Sequence, residues 1–322
     1  MKLSRRTFSH FAAASLLLAL VAAPIATPAA AQTDTSAKLP VVASFSILGD
    51  LVKNVGGDRV AISTLVGPDG DAHVFQPAPA DAKKMAAAKV VFVNGLGFEG
   101  WMDRLAKASG TSAAVVVAAK GVTAREMEEE GHGHDHGKEA QAGHDHEETD
   151  PHAWQSVANA EIYVANIRDG LIAADPAGKA TYEANAVAYL ARLQALDTEI
   201  KAAVARIPAD KRRVITSHDA FGYFEGAYGL EFIAPQGVST EAEASAKDVA
   251  RIIRQIKAEK IPAVFMENIS DPRLIKRIAN ETGAKIGGTV FSDALSDDKG
   301  PAATYIDMMQ NNIREFSAAL SS

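Results

Sequence analysis

Residues 176–209 read PAGKATYEANAVAYLARLQALDTEIKAAVARIPA, with proline only near the two ends and no glycine after Gly178. Apolar residues at Tyr182, Val187, Leu190, Leu193, Leu196 and Ile200 approximate the stripe of one helix face. About 28 residues of helix would span roughly 42 Å at 1.5 Å per residue. A segment that long and that free of breakers is a rigid strut, and the chain has the same rhythm on either side of it.

Before the strut, VVASFS (41–46), VAISTLV (60–66), KVVFVNG (89–95) and AAVVVAAKG (113–121) alternate with the helical patterns ILGDLVKNVGG, ADAKKMAAA and EGWMDRLAKASG. After it come RRVITSH (212–218), LEFIAPQ (230–236), PAVFMEN (262–268) and AKIGGTVFSD (284–293), with ASAKDVARIIRQIKAEK and DPRLIKRIANETG as the intervening helices. Short β-branched runs alternating with helices predict parallel sheets built from right-handed crossovers. The stretch SVANAEIYVANIRDGLIAAD, just ahead of the strut, predicts a further helix at the lobe junction. The expected fold is α/β: two lobes, each with a mainly parallel four-stranded sheet flanked by helices, joined by one long rigid helix. The expected boundaries are residues 40–175, 176–209 and 210–322.

The first 31 residues have the marks of a cleaved export signal. Basic MKLSRR precedes the apolar run FAAASLLLALVAAPIA, too short and Ala-rich for a membrane span, and Ala29-Ala30-Ala31 precedes Gln32 as a small-residue cleavage site. Ser4-Arg5-Arg6-Thr7-Phe8 resembles a twin-arginine signal, although an ordinary secretory signal can carry adjacent arginines. There is no cysteine in the chain, which excludes disulfides, thiolate metal sites and a lipid-bearing cysteine behind the signal. The 322 residues are 47% hydrophobic, as expected for a soluble protein with sizeable cores. Loss of the signal removes Lys2, Arg5 and Arg6 and no acid, taking the formal charge from −7 to −10. That balance argues against nucleic acid and anionic membrane as partners and suits cations. A soluble periplasmic monomer is expected.

Nine histidines divide unevenly. His10 leaves with the signal. His132, His134, His136, His144 and His146 crowd residues 122–150, a Glu-, Gly- and His-rich stretch without apolar periodicity, which is expected to be a disordered loop able to hold metal weakly. His73, His152 and His218 remain for the folded body. His218 ends a predicted strand, at the carboxyl edge where α/β sheets bind ligands. His73 follows VAISTLV through a turn-rich loop, and His152 follows Asp150-Pro151 ahead of a helix. Asp293 sits at the end of the last predicted strand. Taken singly, each fits a bland role: a hydrogen-bonded histidine, a turn, or a helix N-cap beside Ser296. Taken together, they place two metal ligands from each lobe at one cleft.

These segments resemble the periplasmic substrate-binding proteins of zinc and manganese ABC importers. GDAHVFQPAPAD is similar to the family's first-ligand segment, TDPHAWQSVANA to its Asp-Pro-His-x-Trp segment, and TSHDAFGYFEGAYGL to its third. STEAEASAKDV and VFMENISDPRLIKRIANETGAKI resemble the signature of the second lobe, and VFSDALSD the fourth-ligand segment. The motifs occur in order over nearly all of residues 40–320. The resemblance implies two α/β lobes bridged by a long helix, with His73, His152, His218 and Asp293 as ligands. Some zinc members carry a glutamate just before the first histidine; here Ala72 stands there, with Asp71 adjacent. Manganese members commonly replace the third histidine with a carboxylate; here it is His218. The implied cargo is Zn²⁺ ahead of Mn²⁺, and the implied partner is an inner-membrane ABC permease, with a periplasmic zinc chaperone as a further candidate.

Three imidazoles and one carboxylate suit four-coordinate Zn²⁺, whereas Mn²⁺ prefers harder oxygen ligands. Ligation needs neutral imidazole, so ordinary histidines predict affinity lost as pH falls through about 6.5. A zinc hydrolase is the main competing class, but there is no H-E-x-x-H helix and no general base tied to the ligands. A passive metal buffer or adhesin acting through the His-rich stretch is the other. Trp101 and Trp154 are expected as packing anchors, Trp154 also walling the site from water.

Overall fold

A computed structural model describes residues 37–126 and 149–321. The expected signal peptide and His132, His134, His136, His144 and His146 lie outside the described residues. The first lobe runs β1 (Leu39–Phe45), α1 (Ser46–Gly56), β2 (Val60–Val66), α2 (Pro79–Ala87), β3 (Val90–Val93), α3 (Met102–Ser109) and β4 (Ala114–Val117). Two helices follow, α4 (Val157–Ala174) and the strut α5 (Lys179–Ala205). The second lobe runs β5 (Arg213–Ile215), α6 (Gly222–Tyr228), β6 (Glu231–Ile233), α7 (Ala246–Glu259), β7 (Ala263–Glu267), α8 (Arg273–Thr282), β8 (Lys285–Val290) and α9 (Tyr305–Leu320).

Each lobe carries a four-stranded sheet, ordered β2-β1-β3-β4 and β6-β5-β7-β8, and every pairing is parallel. Inner strands of such sheets are covered on both faces, which is why Val41–Phe45 and Val90–Val93 are continuous buried runs rather than alternating ones. The chain leaves β1 for one neighbour and returns to the other, and β5 repeats the arrangement. Each sheet thus has a switch point beside its first strand, with a crevice outside the carboxyl ends.

The strut buries Tyr182, Ala186, Tyr189, Leu193, Leu196 and Ile200. Val187, assigned to the stripe from the sequence, is 69% exposed. It lies about 140° around the helix from Tyr182, whereas Ala186 lies about 40° away, so the small residue belongs to the face. Through α4 and α5 one core runs from Phe45 and Phe92 to Phe221, Phe224, Phe265 and Phe316 in the second lobe. A separate cluster including Ile215, Val249, Ile252 and Ile275 fills the far side of the second sheet.

Helix α9, which was not read from the sequence, ties the lobes again. Its N-cap Thr304 accepts from Asp307 N, Tyr305 N donates to Asp50 Oδ2 on α1 at 2.9 Å, and Tyr305 Oη donates to Trp154 O at 2.7 Å. A shared core and these buried bonds make the two lobes one packed unit.

Candidate metal centre

Four segments end at the crevice. His73 lies in the loop between β2 and α2, where Asp71 Oδ1 accepts its backbone N–H at 2.9 Å and fixes the turn. His152 stands at the start of a short 3-10 turn, Ala153–Gln155, ahead of α4. His218 follows β5 and is held by a parallel bridge to Gln236. Asp293 follows β8. The structure therefore brings together all four body residues singled out from the sequence, two from each lobe.

One ligand atom from each of the four lies within 4.8 Å of the others. Asp293 Oδ2 is 3.1 Å from both His73 Nε2 and His218 Nε2. His152 Nε2 is 3.3 Å from His73 Nε2 and 3.5 Å from Asp293 Oδ1. Tetrahedral Zn²⁺ with bonds of about 2.0–2.1 Å separates its ligand atoms by about 3.3 Å. These contacts are close to the edges of such a tetrahedron, and the remaining ligand pairs lie within 4.8 Å. His152, His218 and Asp293 are wholly buried, and the His73 side chain is 6% exposed, so His73 faces the mouth. The mouth is lined by Val74, Phe75, Trp101, Arg104 and Glu241. Behind it, Phe98 packs edge-on to His73 at 4.8 Å and Trp154 to His152 at 5.3 Å. Trp154 Nε1 donates to Ser292 O across the lobes at 2.8 Å, so the wall expected of this residue is anchored on both sides. Trp101 Nε1 donates to Ala72 O at 2.8 Å and holds the His73 loop.

The remaining ring nitrogens of His152 and His218 are backed by carboxylates that the sequence did not mark as ligands. Asp150 Oδ1 accepts from His152 N and contacts His152 Nδ1, both at 2.9 Å. Glu267 Oε2 lies 2.6 Å from His218 Nδ1, while its Oε1 accepts the N–H groups of Ser217 and His218. Such partners fix which ring nitrogen faces the metal and raise its basicity. Two signals point to them: Glu267 ends the strand PAVFMEN, and Asp150 sits two residues before His152, the spacing at which an Asp side chain caps its own turn. Asp71, the other carboxylate near the first ligand, is engaged instead by His73 N and by Thr240 Oγ1 at 2.6 Å, the latter across the cleft.

Burial alone disfavours charge on these imidazoles, but the carboxylates outweigh it. Asp293 and Asp150 push His152 up to about 9. Glu267 and Asp293 likewise raise His218 above the ordinary range. Burial would raise Asp293 too, yet His152 and His218 hold it well below the usual carboxylate range, and His218 lowers Glu267 in the same way. The expectation of a midpoint near 6.5 is therefore moved upward: protons compete for His152 up to about pH 9, and His218 is raised in the same direction, because two acidic oxygens face each buried ring. Asp293 Oδ1 is buried and accepts no hydrogen bond, an arrangement that a cation between it and the imidazoles would satisfy.

A profile of the family described as zinc-uptake complex component A, periplasmic, matches residues 41–319. The manganese-binding lipoprotein MntA of Halalkalibacterium halodurans is 33% identical over 306 residues, spanning 95% of this chain and 96% of that protein. The iron-binding protein YfeA of Yersinia pestis is 34% identical over 313 residues, 96% of each chain. The solved structure of the periplasmic zinc binding protein TroA from Treponema pallidum superposes with a TM-score of 0.80 at 29% identity, covering 88% of this chain and all of that one. The three relatives carry three different metals in their names.

Proposed function

The chain belongs to the zinc-uptake complex component A family of metal ABC transporter substrate-binding proteins, and from that premise we propose that its cargo is Zn²⁺. It is a metal-binding component of an import system that works outside the cytoplasm with a membrane permease. In our reading His73, His152, His218 and Asp293 hold the ion between lobes bounded at 40–175 and 210–322, with 176–209 as the strut. One observation carries the reading: three imidazoles and one carboxylate bring ligand atoms within 4.8 Å of one another in a buried cleft, with contacts of 3.1–3.3 Å among them. Nitrogen-rich four-coordination suits Zn²⁺ over Mn²⁺.

With Asp293 as the fourth ligand no position remains for a reactive water, so the site delivers its ion and does not catalyse. Export is proposed through the cleaved signal at residues 1–31, by the secretory or twin-arginine route, to a soluble periplasmic form. The relatives named as lipoproteins differ here, since this chain has no cysteine.

Manganese is the second reading, and a specific feature favours it. Both Asp293 oxygens face the histidines, Oδ2 at 3.1 Å and Oδ1 at 3.5 Å, so an ion able to take both would gain a fifth ligand. Competition of Zn²⁺, Mn²⁺ and Fe²⁺ against chelators on the mature protein separates the readings. Zinc tighter than manganese by at least a thousandfold is expected from the ligand set, with elemental analysis of protein taken from its own periplasm as the companion measurement. Equal or tighter manganese binding would overturn the zinc assignment.

A further inference from the structure

The two buried ligand histidines are backed in the same manner but with different support. Glu267 stays within its own lobe, Oε2 in ionic contact with His218 Nδ1 at 2.6 Å without hydrogen-bond geometry and Oε1 under the amides of Ser217 and His218. Asp150 serves His152 with Oδ1 alone. Its Oδ2 is buried and accepts no hydrogen bond; it faces Arg125 Nε at 3.7 Å, and that N–H is also buried without a hydrogen-bond acceptor.

Arg125 is braced for this placement from both lobes. Its carbonyl accepts Asp150 N at 3.0 Å, next to the antiparallel bridge between Glu126 and Thr149. Its own N–H donates to Tyr223 Oη at 3.0 Å, and its guanidinium lies 5.9 Å from the Tyr223 ring centre. Tyr223 belongs to α6 of the second lobe, which packs this close because residue 222 is glycine. A Cβ there would lie 2.7 Å from Asp150 Oδ2 and 2.9 Å from Arg125 Nε. The helix end is thus shaped around the pair.

We propose that Arg125 is a positioning residue for the metal site, setting the orientation of His152 through Asp150. A carboxylate oxygen in a dry interior needs an opposing charge to stay in place. Without the guanidinium, Asp150 turns Oδ2 toward other partners and Oδ1 leaves His152 Nδ1. The ring then loses the constraint that aims Nε2 at the ion. Residues behind a metal ligand typically govern affinity 10- to 100-fold.

The inference rests on the zinc reading above, and its test is chosen to separate the two. Zn²⁺ affinity is measured by chelator competition on the mature protein and on Arg125→Met, Arg125→Lys, Asp150→Asn and the Arg125→Met/Asp150→Asn double variant. Arg125→Met is expected to weaken zinc about tenfold, and Arg125→Lys to recover most of the loss, since it restores a cation. In the Asp150→Asn background the arginine substitution should add less than twofold, because the two residues act in one chain. Gly222→Ala, which keeps every charge and intrudes only on the pair, should lower affinity in the same direction and serves if Arg125→Met does not fold. Affinity within twofold of the parent in Arg125→Met, or in Gly222→Ala where that variant carries the test, overturns the proposal. So do Arg125→Met and Asp150→Asn losses that multiply independently. A parent protein that binds no zinc overturns the zinc reading as well, whereas a parent with intact binding and an indifferent arginine overturns this inference alone.

Discussion

Lowering the pH from 8 to 7 should weaken zinc binding about a hundredfold, roughly 2.7 kcal/mol. The magnitude follows from what faces each imidazole. Burial opposes a charged His152, but Asp293 and Asp150 overcome it and hold the ring at about 9. His218 is raised by Glu267 and Asp293 on the same terms. Both rings therefore carry a proton at neutral pH in the metal-free protein, and both must release it before Nε2 can ligate. Each proton displaced below its pKa costs about a factor of ten per pH unit. Chelator competition between pH 6.5 and 8 should give log K against pH with a slope near two. Calorimetry at pH 7 in buffers of different ionisation enthalpy should count about two protons released per zinc. Ordinary imidazoles, titrating near 6.5, would give a slope falling toward zero above pH 7. A slope below about 0.5, or release of less than about half a proton, refutes the reasoning.

The same raised imidazoles act on the metal-free fold. Their stabilisation is fully present below about 6.5 and is lost as pH rises through about 9 for His152, a contribution of about 3 kcal/mol. Thermal melts of metal-free protein should therefore fall between pH 6 and 9.5 by more than melts of Asp150→Asn. Glu267→Gln removes the charge behind His218 and should weaken zinc 10- to 100-fold by competition titration while reducing the protons released. Thr240→Val removes the bond to Asp71 that crosses the cleft beside His73, and stopped-flow transfer to a chelator should show zinc leaving about fivefold faster. An unchanged rate would mean that this contact does not restrain the cleft. Leu193→Ala, on the buried face of the strut, should cost about 2–5 kcal/mol in denaturant unfolding, whereas Val187→Ala should stay within about 0.5 kcal/mol.

The elements that could be read from the sequence are those whose pattern is dense. The inner strands β1 and β3 show as apolar β-branched runs because they are buried on both faces, the edge strands show by their place in the strand-helix alternation, and the strut shows because nothing interrupts it. Its buried face was misread at Val187 because an alanine packed in a helix interface, such as Ala186, looks the same as one on the surface. Helix α6 escaped because seven residues, GYFEGAY, are too few for a periodic signal. The ligands were legible by scarcity: only three histidines remain for the body once the signal and the His-rich stretch are set aside. The carboxylates behind them were not, for the opposite reason. Among 40 Asp and Glu residues the place of Glu267 at a strand end is a weak mark, since it meets His218 across a separation of 49 residues only after β5 and β7 pair.

The central claim is that four body residues, not the His-rich stretch, hold the transported ion. Its most direct test is the zinc stoichiometry and affinity of mature protein lacking residues 127–148, with and without His73→Ala, His152→Ala or His218→Ala. One tight zinc is expected in the deleted parent, and binding weaker by about a hundredfold or more in each substituted form. Tight stoichiometric zinc that survives all three substitutions, or that vanishes with the deletion alone, would contradict it.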